Sequence, residues 1–569
     1  MNKQSTNKAL LGALALSLFG MASCVDNDYD LSKDIDMSVT VGGDDLSIPS
    51  SDTKDITLEK IFDLEEGSAV QADAEGNYAL KQAGEGSDTE VTIKKIVVNS
   101  SEIENTSATV SLKFDHPLSG TMEADVTTQT SFNIEKTNVT TDVTELYTAE
   151  TVMPASLQMS IDGNTALTLK KDFAITFPDY LTVKPQDGRV EMRGNDLVFT
   201  RDITVNPNQT LTIYLEITHI DFANMEKGNG LIKPGHLVVK DEVKVNGKGE
   251  IAGTQAVDMN LTTSFNIESI ELKKVTAKVN PKINVTINPI TISNLPDFLK
   301  DEKVTIDMTD PRIFLTVSND SPIAVDFKGT LHSYKGESLL ATVQVGEAPN
   351  PVVIPAGASN YVICLHRQNG TVEGADASVT VPDLNKLIET VPDKVGMDDI
   401  QATAQDKMVE LTLGSSYYVK TAYEINAPLQ FNEGTTIVYN DSFDGWNEDL
   451  KDIYFKELVV SMDATNTIPL GMEMTVEAVD AEGKVLEDVT ATVSELIKAG
   501  TPDVPAVTSL QISLKTAHPD AFQKLDGLKY SVAARSSAET AGQVLNQNQH
   551  LKLDKMVIKV KGGVTVDLN

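Results

Sequence analysis

"SNDSPIAVDFKGTLHSYKGESLL" spans Ser318–Leu340, and "ATNTIPLGMEMTVEAVDAEGKVL" spans Ala464–Leu486. In both, an asparagine (Asn319, Asn466) is followed three residues later by a proline (Pro322, Pro469). In both, a glycine (Gly336, Gly483) lies 17 residues after the asparagine. Each asparagine follows an alternating run, as in "PRIFLTVS" (Pro311–Ser318), which is the period of a half-buried strand. Proline has no N–H to give to a central ladder, so it marks where the chain turns or crosses between sheets. A later proline, Pro355 or Pro505, precedes another strand-like run, "NYVICLH" or "SLQISLK". The spacing therefore reads strand, Asn-x-x-Pro corner, strand, glycine turn, strand, return strand. That is sandwich grammar, written twice.

The same texture continues outward in "EVTIKKIVV" (Glu90–Val98), "ATVSLKF" (Ala108–Phe114) and "LTIYLEI" (Leu211–Ile217). Hairpin turns are predicted at Asn246-Gly247 in "EVKVNGKGEI" and at Gly562-Gly563 in "MVIKVKGGVTVDL". Two short helices are predicted. "PDLNKLIETV" offers Asp383 as a cap and Leu384, Leu387, Ile388 and Val391 on one face; "HPDAFQKLDG" starts at Pro519 and ends at Gly527. A second self-match, "TSFNIE", occurs at Thr130–Glu135 and Thr263–Glu268 and points to related strands.

The expected fold class is mainly β: tandem Ig-like antiparallel β-sandwich domains with a few short helices, elongated. The chain has 569 residues, too many for one core. The expected division is a signal peptide at 1–23, an acidic tether with N-terminal strands at 24–60, and β domains at 61–145 and 146–265. A third sandwich is expected at 266–400 (repeat core 310–366) and a fourth at 401–569 (repeat core 456–516).

The N-terminus gives an address. Lys3 and Lys8 precede a short apolar core, Ala9–Met21, which is too short for a bilayer span and suits a signal peptide. Met21, Ala22 and Ser23 then lead into Cys24. Small residues before a cysteine resemble the lipobox of bacterial lipoproteins. The resemblance implies lipid on the Cys24 thiol and a membrane partner through that anchor. Asp26, Asp28 and Asp30 follow at once. They suit a solvated tether, and the stretch resembles the signal that exports Bacteroidetes lipoproteins to the outer face of the outer membrane. The alternative is a linker facing the periplasm. As an EF-hand the stretch fails, because Leu31 stands where glycine is needed and Met37 where the bidentate glutamate belongs.

Composition excludes some functions. With 47 basic and 83 acidic residues the formal charge is −36, which repels nucleic acid. Two cysteines, Cys24 and Cys364, leave no disulfide framework once Cys24 is acylated; Cys364 reads as a small buried hydrophobe.

No catalytic motif frames a reaction. The seven histidines are scattered without metal-ligand spacing, and no G-x-S-x-G elbow occurs. The most distinctive local stretch is "YNDSFDGWNEDLKD", Tyr439–Asp452, which places the single tryptophan, Trp446, beside Asp441, Asp444, Asn447, Glu448 and Asp449. An exposed tryptophan there would stack on a sugar while the acids bind hydroxyls or calcium. The competing reading packs Trp446 into a domain junction while the acids cap a turn.

The order of strand, Asn-x-x-Pro, strand and glycine resembles the late-embryogenesis-abundant, water-stress type of β-sandwich and fibronectin type III-like modules. It covers about sixty residues in each of two places and implies fold more than function. The chain as a whole, most clearly "YDLSKDIDMSVTVGGDDLSIP" (Tyr29–Pro49), resembles large uncharacterised lipoproteins of gut Bacteroidetes. The resulting expectation is a non-catalytic, lipid-anchored outer-membrane protein that binds glycan or protein at the cell surface, with no cofactor unless calcium. The alternatives are an accessory subunit docked on an outer-membrane β-barrel and, remotely, a glycan hydrolase.

Overall fold

Both Asn-x-x-Pro corners form, and they form alike. The computed structural model describes residues 38–41, 45–49, 53–118, 120–253, 255–450, 453–562 and 564–567. The expected signal peptide, Cys24, Asp26, Asp28 and Asp30 lie outside the described residues. Asn319 ends the strand Arg312–Asn319 and is fully buried. Its Nδ2 donates to the carbonyls of Ile323 and Pro355, both at 2.9 Å, while its Oδ1 accepts from the Ser321 N–H and hydroxyl. Asn466 ends Glu457–Asn466 and is buried equally. Its Nδ2 donates to Leu470 and Lys498 carbonyls at 3.0 and 2.9 Å, and its Oδ1 accepts from the Ile468 N–H. One amide thus satisfies three backbone groups that leave the ladder at a sheet crossing.

Around the first corner stands a sandwich. One sheet runs Ala377–Thr380, Ala358–His366, Arg312–Asn319, Ser416–Pro428, Tyr78–Thr92, Val70–Ala72. The other runs Ile290–Thr291, Lys394–Ala404, Val325–Lys335, Ser338–Val345, with Val352–Ile354 also paired to Val325–Lys335. Around the second corner, one sheet runs Asp45–Pro49, His550–Lys561, Glu457–Asn466, Ala506–Thr516, Val489–Val493. The other is Thr436–Phe443, Gly527–Arg535, Gly471–Val479. A small third sheet joins Ser38–Val41, Val564–Asp567 and Ile453–Tyr454. Among the described ladders, only Ala358–His366 with Ala377–Thr380 is parallel.

The remaining body, from Ile96 to Val279, is one large sandwich where two domains were expected. Gly120–Thr137 pairs with His236–Gly253 along its whole length in one sheet. Val143–Gly163 centres the other, flanked by Thr210–Asp221 on one side and Val257–Ile267 then Ile270–Val279 on the other. The two "TSFNIE" copies face each other across the core: Phe132 and Phe265 meet edge to face at 5.9 Å, and Phe177 meets Phe265 at 5.4 Å. Each fully buried phenylalanine contributes about 1.5–3 kcal/mol of apolar burial.

Strand pairing crosses the boundaries expected at 60/61, 145/146, 265/266 and 400/401. Asp45–Pro49 and Ile56–Thr57 pair with His550–Lys561. Tyr78–Thr92 pairs with Ser416–Pro428, and Met408–Thr412 extends the large sandwich through Ile270–Val279. The physical reason is that alternation reveals which face of a strand is buried but not which strand lies beside it.

Three local expectations are also corrected. Asn246 and Gly247 lie inside the strand His236–Gly253, with no turn. A Cβ on Gly247 would lie 2.3 Å from the Phe173 ring, and one on Gly249 would lie 2.6 Å from Leu167. These glycines admit close packing over the sheet; they do not turn the chain. At Gly562 the chain does turn, but the flanking strands join different sheets instead of forming a hairpin. Both predicted helices are short 3₁₀ turns, Leu384–Leu387 and Pro519–Lys524, and Asp383 makes no side-chain cap. Leu384, Leu387, Ile388 and Val391 are nonetheless all buried.

Candidate functional site

The tryptophan stretch leaves the strand Thr436–Phe443 and enters a single helical turn, Asn447–Leu450. Asp526 fixes it: its carbonyl accepts from the Trp446 N–H at 2.8 Å and its Oδ1 from the Asn447 N–H at 3.0 Å. The Trp446 ring is half-buried and packs against a core that includes Phe455, Phe522, Leu525 and Leu528. Phe455 and Phe522 stack within that core at 4.2 Å. Asp444 is exposed in the link before that turn, and Glu448 and Asp449 form the middle of the turn.

Asp441 belongs to a different cluster. It sits on the strand opposite Tyr530. Its Oδ2 accepts from the hydroxyls of Tyr439 at 3.0 Å and Tyr530 at 3.1 Å, and its Oδ1 from the Ser442 N–H. Burial, reinforced by the carboxylate, pushes the Tyr439 phenol up to about 12 and raises Tyr530 as well. Both phenols therefore stay protonated donors at neutral pH. The six residues singled out in sequence are thus divided between a tyrosine-clamped Asp441 and a turn seated on the core at Trp446. Among the described residues no group of three His, Cys, Asp or Glu side chains converges as a metal site would require.

Local sequence reading missed a second feature. A cleft of about 650 Å³ opens at one end of the large sandwich. Three segments distant in sequence build it: Lys94–Val97, Lys136–Asp142 and Lys233–His236. The adjacent lysines Lys94 and Lys95 were the one available signal; only the fold adds Lys136 and Lys233 to them.

No helix among the described residues is long and apolar enough to cross a membrane. Comparisons with known proteins add little. No family model matches the chain, and no curated protein does. Among solved structures, a "putative secreted protein" of Parabacteroides distasonis ATCC 8503 is similar at 10% identity with a TM-score of 0.37, over 71% of this chain and all of that one. An archaeal virus protein with a triple jelly roll fold and turret assembly has 10% identity and a TM-score of 0.09, over 82% of this chain and 91% of that one. At such scores neither likeness bears on fold or function.

Proposed function

We propose that this chain is a non-catalytic, lipid-anchored protein of the outer membrane that faces the cell exterior and binds glycan or protein there. The observation that supports it most is the route of the N-terminal arm. Its strands Ser38–Val41, Asp45–Pro49 and Ile56–Thr57 are woven into the C-terminal sheets. Cys24 lies 14 residues before Ser38, a reach of at most about 50 Å when fully extended. Lipid on Cys24 would therefore hold a folded β body close to a membrane surface and present its loops outward.

Protease shaving of intact cells, with Cys24→Ser as the unanchored control, tests the address. The anchored chain should be cut from outside and the variant should leave the membrane fraction. Protection of the anchored chain from external protease would reject surface exposure. Retention on a glycan and host-matrix array tests binding. Trp446→Phe combined with Asp444→Asn keeps the ring's packing while changing the turn; undiminished retention would remove the turn from the site, and no retention by the parent chain would reject the binding role.

A second reading, an accessory subunit seated on a membrane β-barrel, draws on one observation. Leu496, Val504 and Val507 are 54%, 72% and 59% exposed along a single stretch of the C-terminal sandwich. Detergent pull-down of the lipidated chain should then recover a stable barrel partner, and recovery of the chain alone counts against it.

A further inference from the structure

We propose that the cleft at the end of the large sandwich binds the anionic group of an acidic saccharide. The charge there runs against the molecule. The whole chain carries 83 acidic and 47 basic residues, yet four lysines and a histidine line the cleft and Asp142 is its lone acid.

The groups divide into fixed and uncommitted ones. Lys136 is held by both oxygens of Glu102 at 2.9 and 2.8 Å, and Lys95 reaches Glu271 at 3.3 Å. His236 Nε2 lies 3.0 Å from Glu135, and Asp142 accepts from the Thr140 hydroxyl at 2.6 Å. Lys94 and Lys233 are exposed and have no carboxylate partner among the described residues. They approach the cleft from separate segments, as two arms that a single anion could bridge. A buried Nδ1 on His236 also lacks a partner among the described residues.

The rim supplies the rest of the recognition. Thr137, Asn138 and Thr141 are exposed, and their side chains make no hydrogen bond among the described residues. Asn138 sits at φ 67° and Gly235 at φ 84°, and the Val139 N–H donates to the Gly235 carbonyl at 3.1 Å. Two left-handed turns are thus tied together as a preformed wall. Neutral donors and acceptors beside paired cations suit a ligand bearing both hydroxyls and a carboxylate or sulfate. The volume is that of a small-molecule site.

The inference rests on the binding-module reading for its setting, though not for its chemistry. The probe is a galacturonic acid hexamer, titrated by calorimetry into the full mature chain carrying Cys24→Ser. Its fully methyl-esterified form and inorganic phosphate serve as comparisons. The free-acid hexamer should bind, weaken as salt rises from 50 to 200 mM, and exceed the ester by at least about tenfold. The double variant Lys94→Gln, Lys233→Gln should lose at least about tenfold, while Lys300→Gln, Lys407→Gln should lose nothing. Equal binding of acid and ester, an unaffected Lys94/Lys233 variant, or no binding at all overturns the proposal. Phosphate competing as well as the hexamer overturns its saccharide part. If array retention survives while hexamer binding fails, the cleft assignment falls and the binding role stands; loss of both rejects the role itself.

Discussion

The sandwiches built on Asn319 and Asn466 share a plan around the corner and part company after the glycine turn. In each, the asparagine strand lies between the strand after the later proline (Ala358–His366, Ala506–Thr516) and a strand from later in the chain (Ser416–Pro428, His550–Lys561). In each, that later strand accepts a further neighbour from nearer the N-terminus: Tyr78–Thr92 for one, and Asp45–Pro49 and Ile56–Thr57 of the N-terminal arm for the other. The difference comes after the glycine turn. At Gly336 the chain folds straight back, so that Val325–Lys335 and Ser338–Val345 pair in one sheet. At Gly483 only a Val479–Val485 bridge forms, and Val489–Val493 pairs with Ala506–Thr516 in the opposite sheet. The corner is therefore the invariant part of the plan, because it satisfies buried backbone by itself. The strand after the turn can join either sheet, since both leave an edge to be filled.

That comparison can be broken most severely through the arm. Deleting residues 38–57 should strip the C-terminal sandwich of an edge and abolish hydrogen-exchange protection across 457–561. Protection across 312–428 should persist, and adding a 38–57 peptide should restore the rest. Unchanged protection at 457–561 would show that the arm is dispensable.

Cys364 separates the two sandwiches kinetically. It is fully buried on Ala358–His366, and burial pushes its thiol up to about 12. In a Cys24→Ser chain at pH 8, alkylation should run on the order of a thousandfold slower than for a free cysteine. It should accelerate only in denaturant that opens the Asn319 sandwich. Rapid labelling of the native chain contradicts this.

Asn319→Asp and Asn466→Asp place a carboxylate against two carbonyls. Each should cost roughly 3 kcal/mol at pH 8. The loss should shrink toward pH 4, because a buried carboxyl is favoured in its neutral form and can then donate one hydrogen bond. Urea midpoints decide it. Similar losses sharpen the equivalence of the corners, and a loss at one alone breaks it.

A smaller effect tests the facing "TSFNIE" pair. Thr130 and Thr263 are buried, and neither hydroxyl has a partner among the described residues. Thr130→Val and Thr263→Val should each stabilise by about 1 kcal/mol; destabilisation by either would reveal a hidden partner.

The smallest effect concerns Glu457, whose carboxyl lies below its ordinary range because Lys561 donates to it at 2.8 Å. A depressed folded value adds stability above the unfolded carboxylate pKa and loses it as pH falls. Glu457→Gln should therefore cost under about 1 kcal/mol at pH 7 and nothing near pH 2. A cost independent of pH would rule out the ion pair as its source.

What could be read from sequence was local. The Asn-x-x-Pro spacing encodes a corner whose hydrogen bonds lie mostly within four residues, so its text and its structure coincide. The burial of Leu384, Leu387, Ile388 and Val391 was legible for the same reason. Partner choice was not, because Tyr78–Thr92 meets Ser416–Pro428 only in space. Gly247 misled because its requirement comes from Phe173, 74 residues earlier, and not from its own dihedral. The Trp446 stretch carried composition without arrangement: nothing in it told that Asp441 would be taken by Tyr530. The lysine cleft showed in sequence only as the Lys94-Lys95 pair, for the reason the domain boundaries were hidden: it is assembled from three separated segments.

The arm also sets an order of events during biogenesis. The Thr53 N–H donates to the Leu553 carbonyl and the Leu553 N–H donates to the Thr53 hydroxyl oxygen, across 500 residues of chain. At roughly 5–20 residues synthesised per second, the arm's first strands must wait on the order of half a minute to two minutes for their partners. Until then they are unpaired and open to holding factors, and the C-terminal sheets cannot close on themselves. Completion of the last strands thus acts as a checkpoint: a truncated polypeptide stays recognisably unfinished at its leading end.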